Sequence, residues 1–293
     1  MTAPASGPSF ARIEPFGAQP VPDGVEVLGL PSTAGTLTAY RARPSAAPTR
    51  GVVLIVPGFT GSKEDFRTFL PLLAAQGWEA WSYSQRGQAD SAAPAGIGSY
   101  ALDAFASDAV AAAELLGEGR PVHLVGHSFG GIVAQAAAIA SPASFASVTM
   151  LCSGPHGWPG RHQETSDTVA AHGSIGLWDR DNPHTIGLPD DRLTPDEAFL
   201  RLRAARTSSD NLLAAAEILR THSDTTDELR AAGLPALVAH GEFDEAWPIA
   251  DQRDMAERLG ARYTVIPGGA HSPQLEAPAA TAAALDDFFT SVS

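Results

Sequence analysis

Short apolar runs recur along the chain, separated by longer stretches whose apolar residues repeat at helical spacing. Residues 51–56 (Gly-Val-Val-Leu-Ile-Val) form a continuous β-branched run, the pattern of a strand buried on both faces. Residues 78–84, 121–125, 145–152, 234–240 and 262–266 predict further strands by the same reading. The intervening patterns predict helices over 62–76, 100–116, 131–140, 249–259 and 276–291. Ser62 is suited to cap the first of these, with Asp65 as the acid three residues on. Near the N-terminus, residues 25–30 and 36–43 alternate enough for an antiparallel hairpin across Gly35. Strand–helix alternation of this kind implies an α/β fold, with a mostly parallel central sheet and helices on both faces.

The rhythm breaks between 153 and 233. That stretch holds loop-forming Gly and Pro and then two helix-like segments, 194–207 and 209–221, with no clear strand. It reads as an insertion folded over the carboxyl ends of the strands, where open α/β sheets bind ligands. The expected organisation is therefore a loose arm over residues 1–22, rich in Pro, Ala, Ser and Gly, then a core of 23–153 and 231–293. Residues 154–230 are expected to form a helical cap, or lid.

Composition narrows the partners. Against 33 acidic residues stand 19 basic ones, a net charge of −14, so nucleic-acid phosphates and anionic membranes would be repelled. No stretch is apolar enough to span a bilayer, and residues 1–8 have neither a basic start nor an apolar run, so a cytoplasmic location is expected. The single cysteine, Cys152, ends an apolar run and reads as a buried small residue. His156, His162, His172 and His184 are scattered over the insertion without a carboxylate or thiol at ligand spacing; no metal and no cofactor are expected.

The chemistry centres on Gly126-His127-Ser128-Phe129-Gly130, set between a strand and a small-residue helix. Strand, sharp turn and helix in that order expose a serine hydroxyl at the sheet edge and aim helix N–H groups toward it. A serine needs a base, and the base an orienting acid. Asp244 follows the strand at 234–240, with Glu242 and Glu245 as alternatives in the same loop, and His271 lies in a glycine-rich loop after the last strand. The chain order Ser128, Asp244, His271 suits a nucleophile, an acid and a base on this architecture. Main-chain N–H groups of Phe59 and Phe129 are the candidate donors to a developing oxyanion.

Several ordered motifs then agree: Pro57-Gly58-Phe59-Thr60-Gly61-Ser62, Gln85-Arg86-Gly87-Gln88-Ala89-Asp90-Ser91, Gly126 to Gly131, Gly241-Glu242-Phe243-Asp244, and Gly268-Gly269-Ala270-His271. Together they resemble the α/β-hydrolase superfamily, in its lidded serine esterase/lipase-like branch, from Val25 to the C-terminus. Two departures stand out. Relatives usually carry His-Gly where this chain has Pro57-Gly58, so the oxyanion loop needs other support. Their second loop usually runs Asp-x-Arg-Gly-x-Gly-x-Ser; here Ser84 stands at the acid and Ala89 at the second glycine, and Arg86 is expected to make a structural ion pair or a loop contact. The resemblance implies hydrolysis of an ester, thioester or related acyl bond in a small to medium, partly apolar substrate. Acyl transfer, cyclisation or C–C bond cleavage with the same three residues is the alternative it permits. Trp158 and Trp178 in the insertion, and Trp247 beyond the acid loop, are expected to line the substrate pocket. Homo-oligomerisation is left open.

Overall fold

Alternation along the strands decides which side of the sheet each residue serves. In β4 (Gly51–Val56), Val52, Leu54 and Val56 pack into one hydrophobic cluster, and Val53 and Ile55 into another on the opposite face, as the two-residue period of a strand requires. The computed structural model describes residues 10–45 and 48–293. Within them β4 joins β1 (Ala11–Arg12), β2 (Val25–Ser32), β3 (Gly35–Ala42), β5 (Trp78–Tyr83), β6 (Val122–His127), β7 (Phe145–Leu151), β8 (Ala236–Gly241) and β9 (Arg262–Ile266) in a nine-stranded sheet. The order is β1-β2-β3-β5-β4-β6-β7-β8-β9. From β5 to β9 neighbouring strands are parallel, whereas β1, β2 and β3 extend one edge antiparallel.

Helices cover both faces. Phe105 of α2 (Leu102–Gly117), Ile132 of α3 (Phe129–Ala140) and Met255 of α8 (Ile249–Leu259) enter the first cluster. Leu70 and Leu73 of α1 (Leu70–Ala75), with Leu285 and Phe289 of α10 (Pro278–Val292), enter the second. Between β7 and β8 lie α4 (Gln163–Asp181), α5 (Pro195–Arg206), α6 (Ser209–Thr221) and α7 (Thr226–Ala231); α9 (Pro273–Glu276) is a single turn before α10. No helix among the described residues is long and apolar enough to cross a membrane.

Several elements differ from the expectation. The helix expected over 62–76 is a 3₁₀ turn, Lys63–Phe66, followed by α1. Pro71 has no N–H to give the Arg67 carbonyl and would crowd it, so the helix must restart with Pro71 in its first turn. Asp65 still accepts the Ser62 N–H, at 3.2 Å. The insertion holds a further helix, α4, kinked at Gly173 (φ 72°, ψ −176°), and α7 as well. Of the arm expected to be loose, residues 1–9 lie outside the described residues. The rest is held down: β1 pairs with β2, Phe10 meets Trp81 with ring centroids 5.0 Å apart, and Phe16 meets Phe199 of α5 at 5.9 Å. Two aromatic rings give this otherwise small-residue segment enough apolar area to bury.

The chain leaves β4 toward β5 on one side and returns to β6 on the other. The crevice outside the carboxyl ends of β4 and β6 is therefore a topological switch point, the place where α/β sheets bind ligands. The turn after β5 is anchored by Arg86, whose Nε and Nη2 donate to the two oxygens of Asp108 in α2 at 2.7 and 2.9 Å. Both side chains are buried, and Nη1 donates to the Ser99 carbonyl at 2.8 Å. Removing one partner strands a buried charge. Asp108→Asn is accordingly expected to destabilise the fold by about 3–5 kcal/mol in urea titration; a shift within ~0.5 kcal/mol would show that the pair is not holding the turn.

Candidate active site

The turn at Ser128 is possible only because two neighbours lack side chains. A Cβ on Gly126 would stand 2.2 Å from the Gly130 carbonyl oxygen, and one on Gly130 would stand 2.2 Å from that of Val56. The chain passes from β6 to α3 through Ser128 at φ 55°, ψ −120°, a conformation side-chain-bearing residues rarely adopt. The Ser128 N–H is tied to the Leu151 carbonyl at 2.9 Å. Its hydroxyl stands at the N-terminus of α3, where the first N–H groups have no partner within the helix.

His271 Nε2 lies 3.0 Å from Ser128 Oγ, and His271 Nδ1 lies 2.9 Å from Asp244 Oδ1. A carboxylate can only accept, so Nδ1 carries the proton and Nε2 is left to accept from the serine. Asp244 is buried, and its oxygens also take the Ala246 N–H and Gln252 Nε2, each at 3.1 Å. Burial pushes the Asp244 carboxyl up, but the bond and charge of His271, the Gln252 amide and the Ala246 N–H outweigh it and hold it below its ordinary range. Glu242 and Glu245 are exposed.

Acid and base loops are laced together. Glu242 N–H donates to the Ile266 carbonyl at 3.0 Å and Phe243 N–H to that of Gly269 at 2.9 Å. The loops come so close that a Cβ on Gly241 would stand 2.1 Å from the Ala270 oxygen. Beneath them His127 Nε2–H donates to the His271 carbonyl at 2.7 Å. Neither His127 nor Gln252 was singled out by sequence reasoning. Gln252 sits on α8, eight residues beyond the acid, and only the fold turns it back.

A cavity of about 400 Å³ opens between α4, α5, α6 and the loop after β4, lined by Phe59, Thr60, Leu177, Trp178, Arg203 and Leu212 among others. Trp178 lines this cavity, whose lining does not include Ser128, Asp244 or His271. Trp158 and Trp247 do not line this cavity: Trp247 is fully buried, with Trp158 edge-on at 5.2 Å and the Arg161 guanidinium over both rings. A ring stacked against a partly buried guanidinium is held in packing rather than left to line a pocket. Cys152 is buried, its Sγ 3.6 Å from the Ala270 oxygen. Its sulfur and nitrogens of His127 and His271 lie within 4.8 Å of one another; His271 spends both ring nitrogens on Asp244 and Ser128, and His127 its Nε2 on the His271 carbonyl. None of the four histidines of the insertion joins such a group among the described residues.

Residues 51–278 match the family described as alpha/beta hydrolase fold. The chain belongs to that family. Over 253 residues it is 28% identical to a non-heme haloperoxidase from Rhodococcus erythropolis, covering 81% of this chain and 90% of the relative. Over 211 residues it is 29% identical to a pimeloyl-(acyl-carrier protein) methyl ester esterase from Methylococcus capsulatus, covering 63% and 76%. Among solved structures, an enol-lactonase from Burkholderia xenovorans shares the fold with a TM-score of 0.71, at 20% identity, over 87% of this chain and 97% of its own.

Histidines impose a pH dependence on this alpha/beta hydrolase. Burial pushes His123, His127 and His162 down to about 4; a nearby Arg50 adds to it for His123, His271 for His127, and Arg161 for His162. The unfolded chain takes up these protons near pH 6.5, the folded one only near 4. The stability these neutral histidines give is present above pH 6.5 and is lost as pH falls through about 4. Thermal melts are expected to drop steadily from pH 7 to pH 4.5, less steeply in His123→Gln, by roughly one proton. Parallel slopes in the two proteins would refute the buried neutral imidazole.

Proposed function

We propose that this hydrolase cleaves an ester, thioester or related acyl bond of a small to medium, partly apolar substrate through an acyl-enzyme on Ser128. The continuous hydrogen-bonded run Asp244–His271–Ser128, at 2.9 and 3.0 Å, is the observation that carries this reading. As Ser128 Oγ attacks the carbonyl carbon, His271 Nε2 takes the hydroxyl proton, and Asp244 stabilises the imidazolium and its orientation. Charge that develops on the carbonyl oxygen is met by the N–H groups of Phe59 and Phe129. Among the described residues neither N–H donates to a protein acceptor. Collapse of the adduct passes the proton from Nε2 to the departing oxygen or sulfur, and water activated by the same nitrogen then releases the acid.

The helices between β7 and β8 act as the cap. Their cavity pairs the apolar Leu177, Trp178 and Leu212 with polar Asn182 and Thr207, which suits a substrate with an apolar body and a few polar handles. Such a volume accommodates a short acyl chain or a single ring system.

A p-nitrophenyl butyrate assay with Ser128→Ala and Asp244→Asn tests this. Loss of the nucleophile is expected to cost about 10⁶ in kcat, and loss of the carboxylate about 10⁴. A fluorophosphonate probe should label wild type and not Ser128→Ala; labelling that survives the substitution places the nucleophile elsewhere. Product masses in the presence of a competing alcohol or thiol separate hydrolysis from acyl transfer.

A further inference from the structure

The loop after β4 begins Pro57-Gly58, and proline offers neither an N–H nor a polar side chain to brace it. Two buried glutamines from the turn after β5 do so instead. Gln85 Nε2 donates to the Pro57 carbonyl at 2.9 Å, and Gln88 Nε2 to the Gly58 carbonyl at 2.7 Å. Both glutamines are 1% exposed. Gln88 Oε1 in turn accepts the Gln85 N–H at 3.0 Å, which settles which end of its carboxamide faces the loop.

The consequence follows from peptide geometry. In a trans peptide the C=O and N–H of one plane point in opposite directions. The Gly58 carbonyl shares its plane with the Phe59 N–H. Holding that oxygen toward Gln88 therefore turns the Phe59 N–H away from the β5 turn. Gly58 itself lies against the nucleophile, so closely that a Cβ there would be 3.3 Å from Ser128 Cβ. Glycine at 58 also leaves the peptide free to rotate. Besides Gln88, the one main-chain restraint on its carbonyl among the described residues is the Gly61 N–H at 3.3 Å.

We propose that Gln88, supported by Gln85, is a positioning residue that keeps the Phe59 N–H aimed at the developing oxyanion. The inference rests on the acyl-enzyme reading given above. Its effect is exerted in the transition state, since a ground-state ester gains little from that N–H.

Gln88→Met keeps length and volume but cannot donate; Gln88→Ala removes both. In each, kcat on p-nitrophenyl butyrate is expected to fall by about 10- to 100-fold, with KM within roughly threefold of wild type. Affinity for an alkylboronic acid, which forms a tetrahedral adduct on serine, should fall by a similar factor. If Gln88 only fills space, Gln88→Met restores kcat and boronate affinity, and the proposal fails. Ser128→Ala is assayed alongside. Activity that Ser128→Ala abolishes and Gln88→Met leaves intact sinks this inference alone, whereas activity that survives Ser128→Ala sinks the reading beneath it. Should the variants not fold, the wild-type boronate adduct decides by crystallography. A boronate oxygen on the Phe59 N–H, with Gln88 still on the Gly58 carbonyl, upholds the proposal; a Gly58 carbonyl turned toward that oxygen overturns it.

Discussion

The first turn of α3 approaches the end of β4 with no room for a single side-chain carbon between them. A Cβ at Gly130 would overlap the Val56 carbonyl, and one at Gly126 would overlap the Gly130 carbonyl. That closeness brings the helix N-terminus, the Ser128 hydroxyl and the loop after β4 into one small volume at the switch point of the sheet. It also forces Ser128 into its positive φ, a conformation that costs on the order of 1–3 kcal/mol and persists only where the surroundings over-determine it. Here the surroundings do so through the Ser128 N–H bond to Leu151 and the dense apolar contacts of Phe129, Ile132 and Val133.

On the other flank the constraint is made of hydrogen bonds rather than sterics. The loops after β8 and β9 are far apart in sequence, yet main-chain bonds link Glu242 to Ile266 and Phe243 to Gly269. Asp244 and His271 are thus carried on one laced unit, and their separation does not depend on either loop being stiff by itself. His127 then ties the His271 carbonyl back to the strand that bears the serine. Its neutral state follows from burial, and a neutral imidazole has one N–H to give, which goes to that carbonyl. Preorganisation of this kind is what the proposed proton relay requires, because small errors of placement are costly in rate.

Much of this was legible in the sequence because the signals are local. A β-branched run, a glycine two places either side of a serine, and an acid just past a strand each report on their own surroundings. What could not be read depends on residues that meet only in the fold. Gln252 returns to Asp244 from the next helix, and Gln85 and Gln88 reach across from β5 to β4. The missing support implied by Pro57 was visible as a gap, but nothing in the sequence pointed to two carboxamides as the substitute. Helix α4 escaped for a different reason. Glycines at 173 and 176 and many polar residues blur its helical period, and it stands because Val169 and Leu177 find Leu212 of α6. Tertiary contact overrode weak propensity there.

The same turn that braces the loop after β4 also receives the helices over the site. Ser208 N–H donates to the Gly87 carbonyl at 2.8 Å, Asn211 Nδ2 to that of Arg86 at 2.7 Å, and Thr207 Oγ1 accepts the Ala89 N–H at 3.2 Å. Thr207 and Leu212 line the cavity as well. On the far side Arg161, stacked on Trp158 and Trp247, donates to the Ala246 carbonyl, and the Ala246 N–H holds Asp244. The segment that shapes the cavity is therefore bonded directly to both loops that would position charge during the reaction. Under the proposed function, a change in how these helices seat on a substrate would reach the Gly58 peptide through residues 85–91, and the carboxylate through 244–247, each within a few bonds. Binding and chemistry in such an arrangement are separable by residue but not by mechanics, because the anchors of one are the supports of the other.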